Sequence, residues 1–182
     1  IYPTLLCSGG GAVLADCGYA GFLPFIEDAM QASGLSPEAL TGVIVTHHDH
    51  DHMGALAALK AKYPNVTVYA GAVESEYIAG RRKALRLEQA EALQSALPTE
   101  QQPAGEAFIS MLKGVEPAEV DVTLRGGDVL GICGGCEVID TPGHTPGHIS
   151  LYLPAQGTVV TGDAMVLEQG SPAVANPQFA FD

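Results

Sequence analysis

The chain has 182 residues, 47% of them hydrophobic, and a formal net charge of −13 with only eight lysines and arginines. Nucleic-acid binding requires a basic surface, so this charge balance argues against such a partner. No apolar run approaches the roughly 20 residues of a membrane span, and no basic segment followed by a cleavage site opens the sequence. We therefore expect one domain over residues 1–182 that is cytoplasmic and makes no membrane contact.

The first part of the chain alternates between strand and helix patterns. Strands are indicated by short apolar runs between turn residues, and helices by apolar residues at helical spacing. The predicted elements are, in order, a hairpin over residues 1–6 and 12–16, a helix over 22–32, a short helical turn at 36–38, a buried strand over 42–46, a helix over 55–63 and a strand over 66–70.

All six histidines lie in two short motifs. Four of them belong to the run His47-His48-Asp49-His50-Asp51-His52, which follows directly after the predicted strand at 42–46. The other two, His144 and His148, lie in a Thr-Pro-Gly-His-Thr-Pro-Gly-His segment. Neutral imidazole and carboxylate are the usual protein ligands of first-row metals. The sequence therefore predicts a metal site on the loop that leaves this strand.

The middle of the chain is more polar. Residues 73–97 predict a helix for most of their length, and this helix carries Arg81, Arg82, Lys83 and Arg86. These cations indicate a solvated helix face or, alternatively, a positive rim over the site that would favour anionic substrates. Residues 98–114 show no clear periodicity and contain two prolines and two glycines, which predicts a loop or lid.

The last third predicts short strands. Two strands are expected over residues 120–130, a tight hairpin over 132–139, strands at 150–153 and 158–161, and an extended loop at 170–177. Cys133 and Cys136 have a Cys-x-x-Cys spacing, but no second such pair exists. A structural disulfide is rare in a reducing cytoplasm, so we expect free thiols.

The order of these motifs resembles the metallo-β-lactamase superfamily, whose signature is His-x-His-x-Asp-His between a strand and a helix. Asp51-His52 followed by Met53-Gly54 sets the register. The resemblance implies an α/β fold, the αββα sandwich, over nearly the whole chain. It also implies a catalytic role for Asp51 and the metal ligands His47, Asp49 and His148 at a first ion, Asp51 and His52 at a second, and Asp163 as a bridge.

Other residues also match the family pattern or depart from it. Asp49 stands where the signature has its second histidine, while His48 and His50 occupy the intervening positions. His144 matches a recurrent histidine that is usually not a ligand. Asp16 matches an aspartate that lies behind the metals and orients their ligands.

The implied function is that of a hydrolase with two divalent metal ions. A metal-bound hydroxide would attack a small ester, thioester, lactone or phosphoester, and Asp51 would orient it or carry a proton to the leaving group. The hard oxygen ligand Asp49 shifts the preference from zinc toward manganese or iron. The alternatives are a di-iron redox protein resembling the flavodiiron proteins and an inactive metal-binding scaffold. The expected partner is a small molecule, and the oligomeric state stays open, with a dimer as one option.

The end of the sequence departs from the family pattern. Nineteen residues follow Asp163, and they contain no histidine that could match the family's final ligand of the second metal. We therefore expect a sandwich truncated at its C-terminus, without its last strands and helix. Such a chain would have one ligand too few at the second ion and an uncovered apolar sheet face.

Overall fold

A five-stranded, mostly parallel sheet carries the first half of the candidate site. The structure is a computed structural model that describes residues 2–9 and 11–174. β1 and β2 form an antiparallel hairpin, and the remaining neighbours in the order β1-β2-β3-β4-β5 pair in parallel. The strands are β1 (Thr4–Ser8), β2 (Gly11–Ala15), β3 (Leu40–Val45), β4 (Thr67–Gly71) and β5 (Val122–Leu124). β2 and β3 are almost continuously apolar because both faces of the sheet are covered.

The helices pack on one face of this sheet or border the site. They are α1 (Leu23–Ala32), α2 (His50–Met53), α3 (Leu56–Lys62), α4 (Glu74–Ile78), α5 (Leu85–Gln94) and α6 (Gln102–Lys113). α1 buries Ile26 and Met30, and α3 buries Leu56 and Leu59. These side chains share one core with the sheet's Val43 and its neighbours. Single 3₁₀ turns lie at Pro37–Ala39 and Gly162–Ala164.

A four-stranded antiparallel sheet packs on the other face of the first sheet. Its order is β6-β7-β8-β9, with β6 (Val129–Leu130), β7 (Cys136–Asp140), β8 (Ile149–Leu153) and β9 (Thr158–Val160). In β7, Cys136 and Val138 are buried while Glu137 and Ile139 are exposed. The buried set forms a second core with Ile44 of the first sheet. A separate hairpin follows, made of β10 (Met165–Glu168) and β11 (Ser171–Val174).

Helices, first sheet and second sheet are three successive layers of the predicted sandwich. Strand register places Val129, Ile139 and Val159 on the outer face of the second sheet. All three are exposed, Val129 by 68%. The described residues therefore expose some apolar side chains on this face, as expected, but they share it with the exposed Glu137.

Three sequence predictions were wrong in part. Residues 98–114 are not a loop, because α6 occupies most of them and places Gly105, Ile109 and Leu112 against its neighbours. The helix predicted over 73–97 is broken between α4 and α5, where Gly80 has a φ of +69°. The extended loop predicted at 170–177 contains β11, and its positions 175–177 lie outside the described residues.

The hairpin predicted over 132–139 is instead formed by β6 and β7, with residues 131–135 as its loop. The remaining predicted strands and helices are present with small shifts of their ends. All four cysteines are free thiols, as predicted. In the part of the chain that the structure describes, no helix is long and apolar enough to cross a membrane.

Candidate metal centre

The candidate site lies where the loop after β3 meets the loops that flank β8 and β9. The backbone N–H of Ile149 donates to the carbonyl oxygen of Thr46 at 3.1 Å, which joins the two sheets at this point. The residue at the end of α2, Gly54, has no room for a side chain, because a β-carbon there would come within 2.4 Å of the backbone nitrogen of Ala20. The small residue after the histidine run thus permits close packing beneath the site.

Two groups of three side chains converge here. The ligand atoms of His47, His52 and Asp163 lie within 4.8 Å of one another, and so do those of His47, Asp49 and His144. Among the described residues, the buried Nε2 atoms of His47 and His52 and the buried Oδ1 of Asp49 have no hydrogen-bond partner. Buried polar atoms are rarely left unpaired, so these atoms fit the donor set of a metal ion.

Asp16 and Thr46 hold the first two imidazoles from behind. Asp16 accepts hydrogen bonds from the Thr46 backbone N–H and from His52 Nδ1, both at 2.8 Å. The Thr46 hydroxyl also lies 2.9 Å from Asp16 Oδ2 and 2.9 Å from His47 Nδ1. Each imidazole is therefore bonded through Nδ1, which leaves its Nε2 facing the site. The predicted position of Asp16 behind the histidines is confirmed.

His148 lies against the cluster without joining either group. Its Nδ1 bonds the Thr141 hydroxyl at 2.8 Å, and its Nε2 accepts from the Asp163 backbone N–H at 3.1 Å. Its ring centroid is 4.9 Å from that of His47. His148 is thus a neighbour of the predicted site whose Nε2 is bonded to the backbone in this structure.

Asp51 lies at the edge of the cluster. One carboxylate oxygen is 3.8 Å from His52 Nε2, and the other is 3.6 Å from His50 Nδ1. Its side chain is partly exposed, unlike those of His47 and His52. Asp51 can therefore reach a molecule that approaches from solvent.

His144 lies closer to the centre than its family position implies. Its Nε2 is 3.2 Å from Asp49 Oδ2 and 3.5 Å from Asp163 Oδ2. The structure therefore brings together four of the six predicted ligands, namely His47, Asp49, His52 and Asp163, and adds His144 to them.

Arg86 lies at the site, as the alternative of a positive rim allowed, but its bond to a candidate ligand was not predicted. It is buried with 7% exposure, and its Nη2 donates to Asp49 Oδ2 at 2.9 Å. The interpretation of Arg86 as part of a solvated face was therefore wrong, although Arg81 on the preceding segment is exposed. Burial raises the pKa of Asp49, but the His144 hydrogen bond and the Arg86 charge outweigh it and lower that pKa overall.

Glu74 is a second such residue, and it joins the two histidine motifs. Its fully buried carboxylate accepts from the backbone N–H of His48 at 2.9 Å, the Thr145 hydroxyl at 2.9 Å and the backbone N–H of Gly147 at 2.8 Å. His48 Nδ1 also donates to it. The His48 ring stacks on Tyr77 with centroids 4.2 Å apart, away from both groups of candidate ligands.

The candidate imidazoles differ in their protonation. Burial, followed by the neighbouring imidazoles, lowers the pKa of His47 well below its ordinary value. Burial also lowers the pKa of His148 to about 4. Burial lowers the pKa of His52 too, but its hydrogen bond to Asp16 and the nearby Asp163 carboxylate raise it to about 10. An ion at His52 would therefore displace a proton, whereas His47 is already neutral.

Comparisons with known proteins agree with this arrangement. A family model described as the metallo-beta-lactamase superfamily matches residues 1–174. A hydroxyacylglutathione hydrolase of Synechococcus sp. is 30% identical over 158 residues, which cover 80% of this chain and 45% of that protein. One from Alkalilimnicola ehrlichii is 32% identical over 140 residues, covering 77% and 38%.

Solved structures give the same result. A metallo-beta-lactamase of Cronobacter sakazakii with a HARLDQ motif superposes with a TM-score of 0.64 at 26% identity, covering 86% of this chain and 55% of that one. The chain spans about half the length, or less, of these relatives.

Proposed function

The chain belongs to the metallo-beta-lactamase superfamily over residues 1–174, and we propose on this basis that the protein is a metal-dependent hydrolase of a small ester, thioester, lactone or phosphoester. The observation that carries the proposal is the pair of buried Nε2 atoms of His47 and His52, neither of which makes a hydrogen bond of good geometry. His52 Nε2 lies 3.2 Å from Asp163 Oδ1. Buried imidazoles that are bonded through Nδ1 and open at Nε2 are typical of metal ligands.

The ions would be held by the two groups of side chains already described. His47 belongs to both groups, and its Nε2 can bind only one ion at a time. Both groups can therefore hold an ion together only if one of them gains His148 or Asp51 as a ligand. A divalent metal in such a site supplies an activated water at neutral pH and polarises the substrate oxygen under attack. We propose two divalent ions, with zinc, manganese and iron as candidates.

The protein's own side chains would orient the ligands and move the proton. Asp16 and Thr46 fix the rings of His52 and His47 through their Nδ1 atoms. Asp51, which is partly exposed beside His52, would transfer a proton to the leaving group. Arg86 balances the charge of Asp49, which keeps a buried carboxylate ionised at the site.

The substrate to try first is a thioester. The two curated relatives described above carry the name hydroxyacylglutathione hydrolase, and they are at least 30% identical to this chain. A hydroxyacylglutathione and 4-nitrophenyl acetate together sample thioester and ester. Hydrolysis of either one that stops on chelation and returns with added metal supports the proposal.

Elemental analysis of protein purified without added metal distinguishes the alternatives. Zinc or manganese together with chelator-sensitive hydrolysis supports the hydrolase. Iron with reversible redox spectra and no hydrolysis would favour the di-iron protein. Absence of both metal and hydrolysis would favour the scaffold and contradict the proposal.

Asp51→Asn tests the proton-carrying role. We expect it to lower the turnover rate by about 10²-fold while metal content falls by less than half, because the amide cannot carry a proton. Asp28→Asn, which removes an exposed carboxylate from α1, is the matched control and should leave both unchanged. Activity that falls only in proportion to bound metal would show that Asp51 has no role in proton transfer.

A further inference from the structure

A cavity beside the candidate metal centre is lined by an unusual share of the chain's cations. It has a volume of about 260 Å³ and lies between α4, α5 and α6. Arg82, Lys83, Arg86 and Lys113 all line it, and they are four of only eight lysines and arginines in a chain of net charge −13. We call it the basic cavity.

The positive charge of the basic cavity is only partly balanced. In the described part of the chain, the Arg82 guanidinium has no carboxylate within ion-pair distance and instead lies 4.4 Å from the centre of the Tyr77 ring. Lys83 and Lys113 share a single carboxylate, that of Glu91. Three cations on the wall thus face one anion, which leaves a net positive charge for a ligand.

The remaining wall is largely apolar. Tyr77, Met53, Leu87, Leu112 and Val115 line it together with the cations. A site of this composition fits an organic molecule with an apolar body and one anionic end. Inorganic ions would leave the apolar wall uncovered.

The basic cavity adjoins the metal centre through shared residues. Arg86 lines the cavity and donates to Asp49, and His50 lines it and lies beside Asp51. A molecule in the cavity would therefore end next to the ligand loop.

We propose that the basic cavity binds the carboxylate-bearing end of the substrate, so that the preferred substrate is a small organic anion with an apolar body. This inference rests on the proposed function, because it assumes that the bound anion is a substrate of the hydrolase. The cavity's capacity to bind a carboxylate can nevertheless be measured without turnover.

The test compares benzoate with its neutral amide, benzamide, by isothermal titration of the protein as purified, at low and constant ionic strength. Arg82→Gln and Lys113→Gln should each weaken benzoate binding about threefold or more, since each removes a partly exposed charge partner. The matched controls are Arg81→Gln and Lys62→Gln, whose charges are already paired with Glu76, Glu119 and Glu27 outside the cavity. These controls should leave benzoate affinity unchanged, and no variant should alter benzamide binding.

The outcomes separate the two proposals. Equal weakening by Arg81→Gln and Arg82→Gln, equal affinity for benzoate and benzamide, or no saturable benzoate binding would each overturn the inference. Hydrolysis of neutral 4-nitrophenyl acetate in the same preparation would leave the proposed function standing in those cases. Selective benzoate binding without any hydrolysis would instead support the anion site and count against the hydrolase.

Discussion

The buried pair of Asp49 and Arg86 ties a helix to the metal-ligand loop. Asp49 brings a negative charge to a position that is almost fully enclosed, and Arg86 of α5 supplies the opposite charge at 2.9 Å. Removing one member of a buried ion pair costs far more than the pair itself contributes, because it leaves an uncompensated charge. α5 is therefore held in place by the chemistry of the site as well as by packing.

Arg86→Met should lower the free energy of unfolding by about 3 kcal/mol, since it removes the charge but keeps most of the side-chain volume. Denaturant unfolding monitored by circular dichroism measures this loss. The double variant Arg86→Met/Asp49→Asn should recover part of it, because the second change removes the stranded charge. A single variant as stable as the parent protein would show that the pair contributes little.

His47 belongs to both groups of candidate ligands, so its loss should be the most damaging to metal binding. We expect His47→Ala to abolish stoichiometric metal binding, as measured by elemental analysis after gel filtration. His50→Ala is the matched control, because its ring contacts Tyr19 and Phe108 and belongs to neither group. Equal metal loss in the two variants would contradict the assignment.

At this scale the sequence predicts ligands better than their supports. His47, Asp49 and His52 stand in one short motif, and Asp163 matches the bridging aspartate of the family, so all four could be named without a structure. Arg86 bonds one of those ligands, and Glu74 bonds the neighbouring His48, each from a different helix. In the sequence, both resemble solvated helix residues. Asp49 is the sequence signal that indicates Arg86, because an acid inside a buried histidine cluster needs a nearby cation.

α5 and α6 pack closely around Gly105, where the ends of two side chains occupy the space that a methyl group would need. A β-carbon at Gly105 would come within 2.1 Å of the Gln94 side chain and 2.7 Å of Leu97. Both contacts are on the α5 side of this helix pair. The pair also forms part of the wall of the basic cavity, through Leu87 and Leu112.

Gly105→Ala should keep the free energy of unfolding within about 1 kcal/mol of the parent's, because alanine's better helix propensity offsets the Gln94–Gln102 hydrogen bond that is lost when the Gln94 side chain moves. Thermal unfolding monitors the change. Ala107→Gly, at an exposed position of the same helix, isolates the propensity effect and should cost about 0.5–1 kcal/mol. Destabilisation of Gly105→Ala by about 2 kcal/mol or more would show that the Gln94 and Leu97 side chains cannot move aside.

The difference between correctly and wrongly predicted elements follows from burial. β3 was recognised because Val43, Ile44 and Val45 are all fully buried and therefore all apolar. α6 was missed because Pro103 in its first turn and Gly105 in its interior were interpreted as loop residues, although proline is tolerated at the start of a helix. Only Leu112 of this helix is buried. The break between α4 and α5 depends on the backbone at Gly80, which a helical pattern on both sides concealed.

The exposure of the four thiols reports on the packing of both cores. Cys17 and Cys136 are fully buried, one on each side of the first sheet, whereas Cys7 is exposed and Cys133 is partly exposed. Burial raises the pKa of both the Cys17 and the Cys136 thiol, which suppresses their reactive thiolate forms further.

We expect a thiol-specific chromogenic reagent to modify Cys7 and Cys133 quickly in the native protein, and Cys17 and Cys136 only after unfolding. Counting the reacted thiols with and without denaturant, followed by mass spectrometry of the peptides, checks this. Rapid native modification of Cys136 would mean that the two sheets separate readily. Cys7→Ser is the control that should remove one fast equivalent.

The hydrogen bonds of Glu74 have a consequence for how the chain responds to losing its ions. An ion held by His47 and Asp163 would act as a cross-link that closes a loop containing most of the chain. For a covalent cross-link around a loop of about 100 residues, the entropy model gives a stabilisation of about 4.7 kcal/mol. Glu74 connects the same early and late segments through His48, Thr145 and Gly147 without any ion. Folding therefore closes this loop without an ion. Ion binding then costs no further loop-closure entropy.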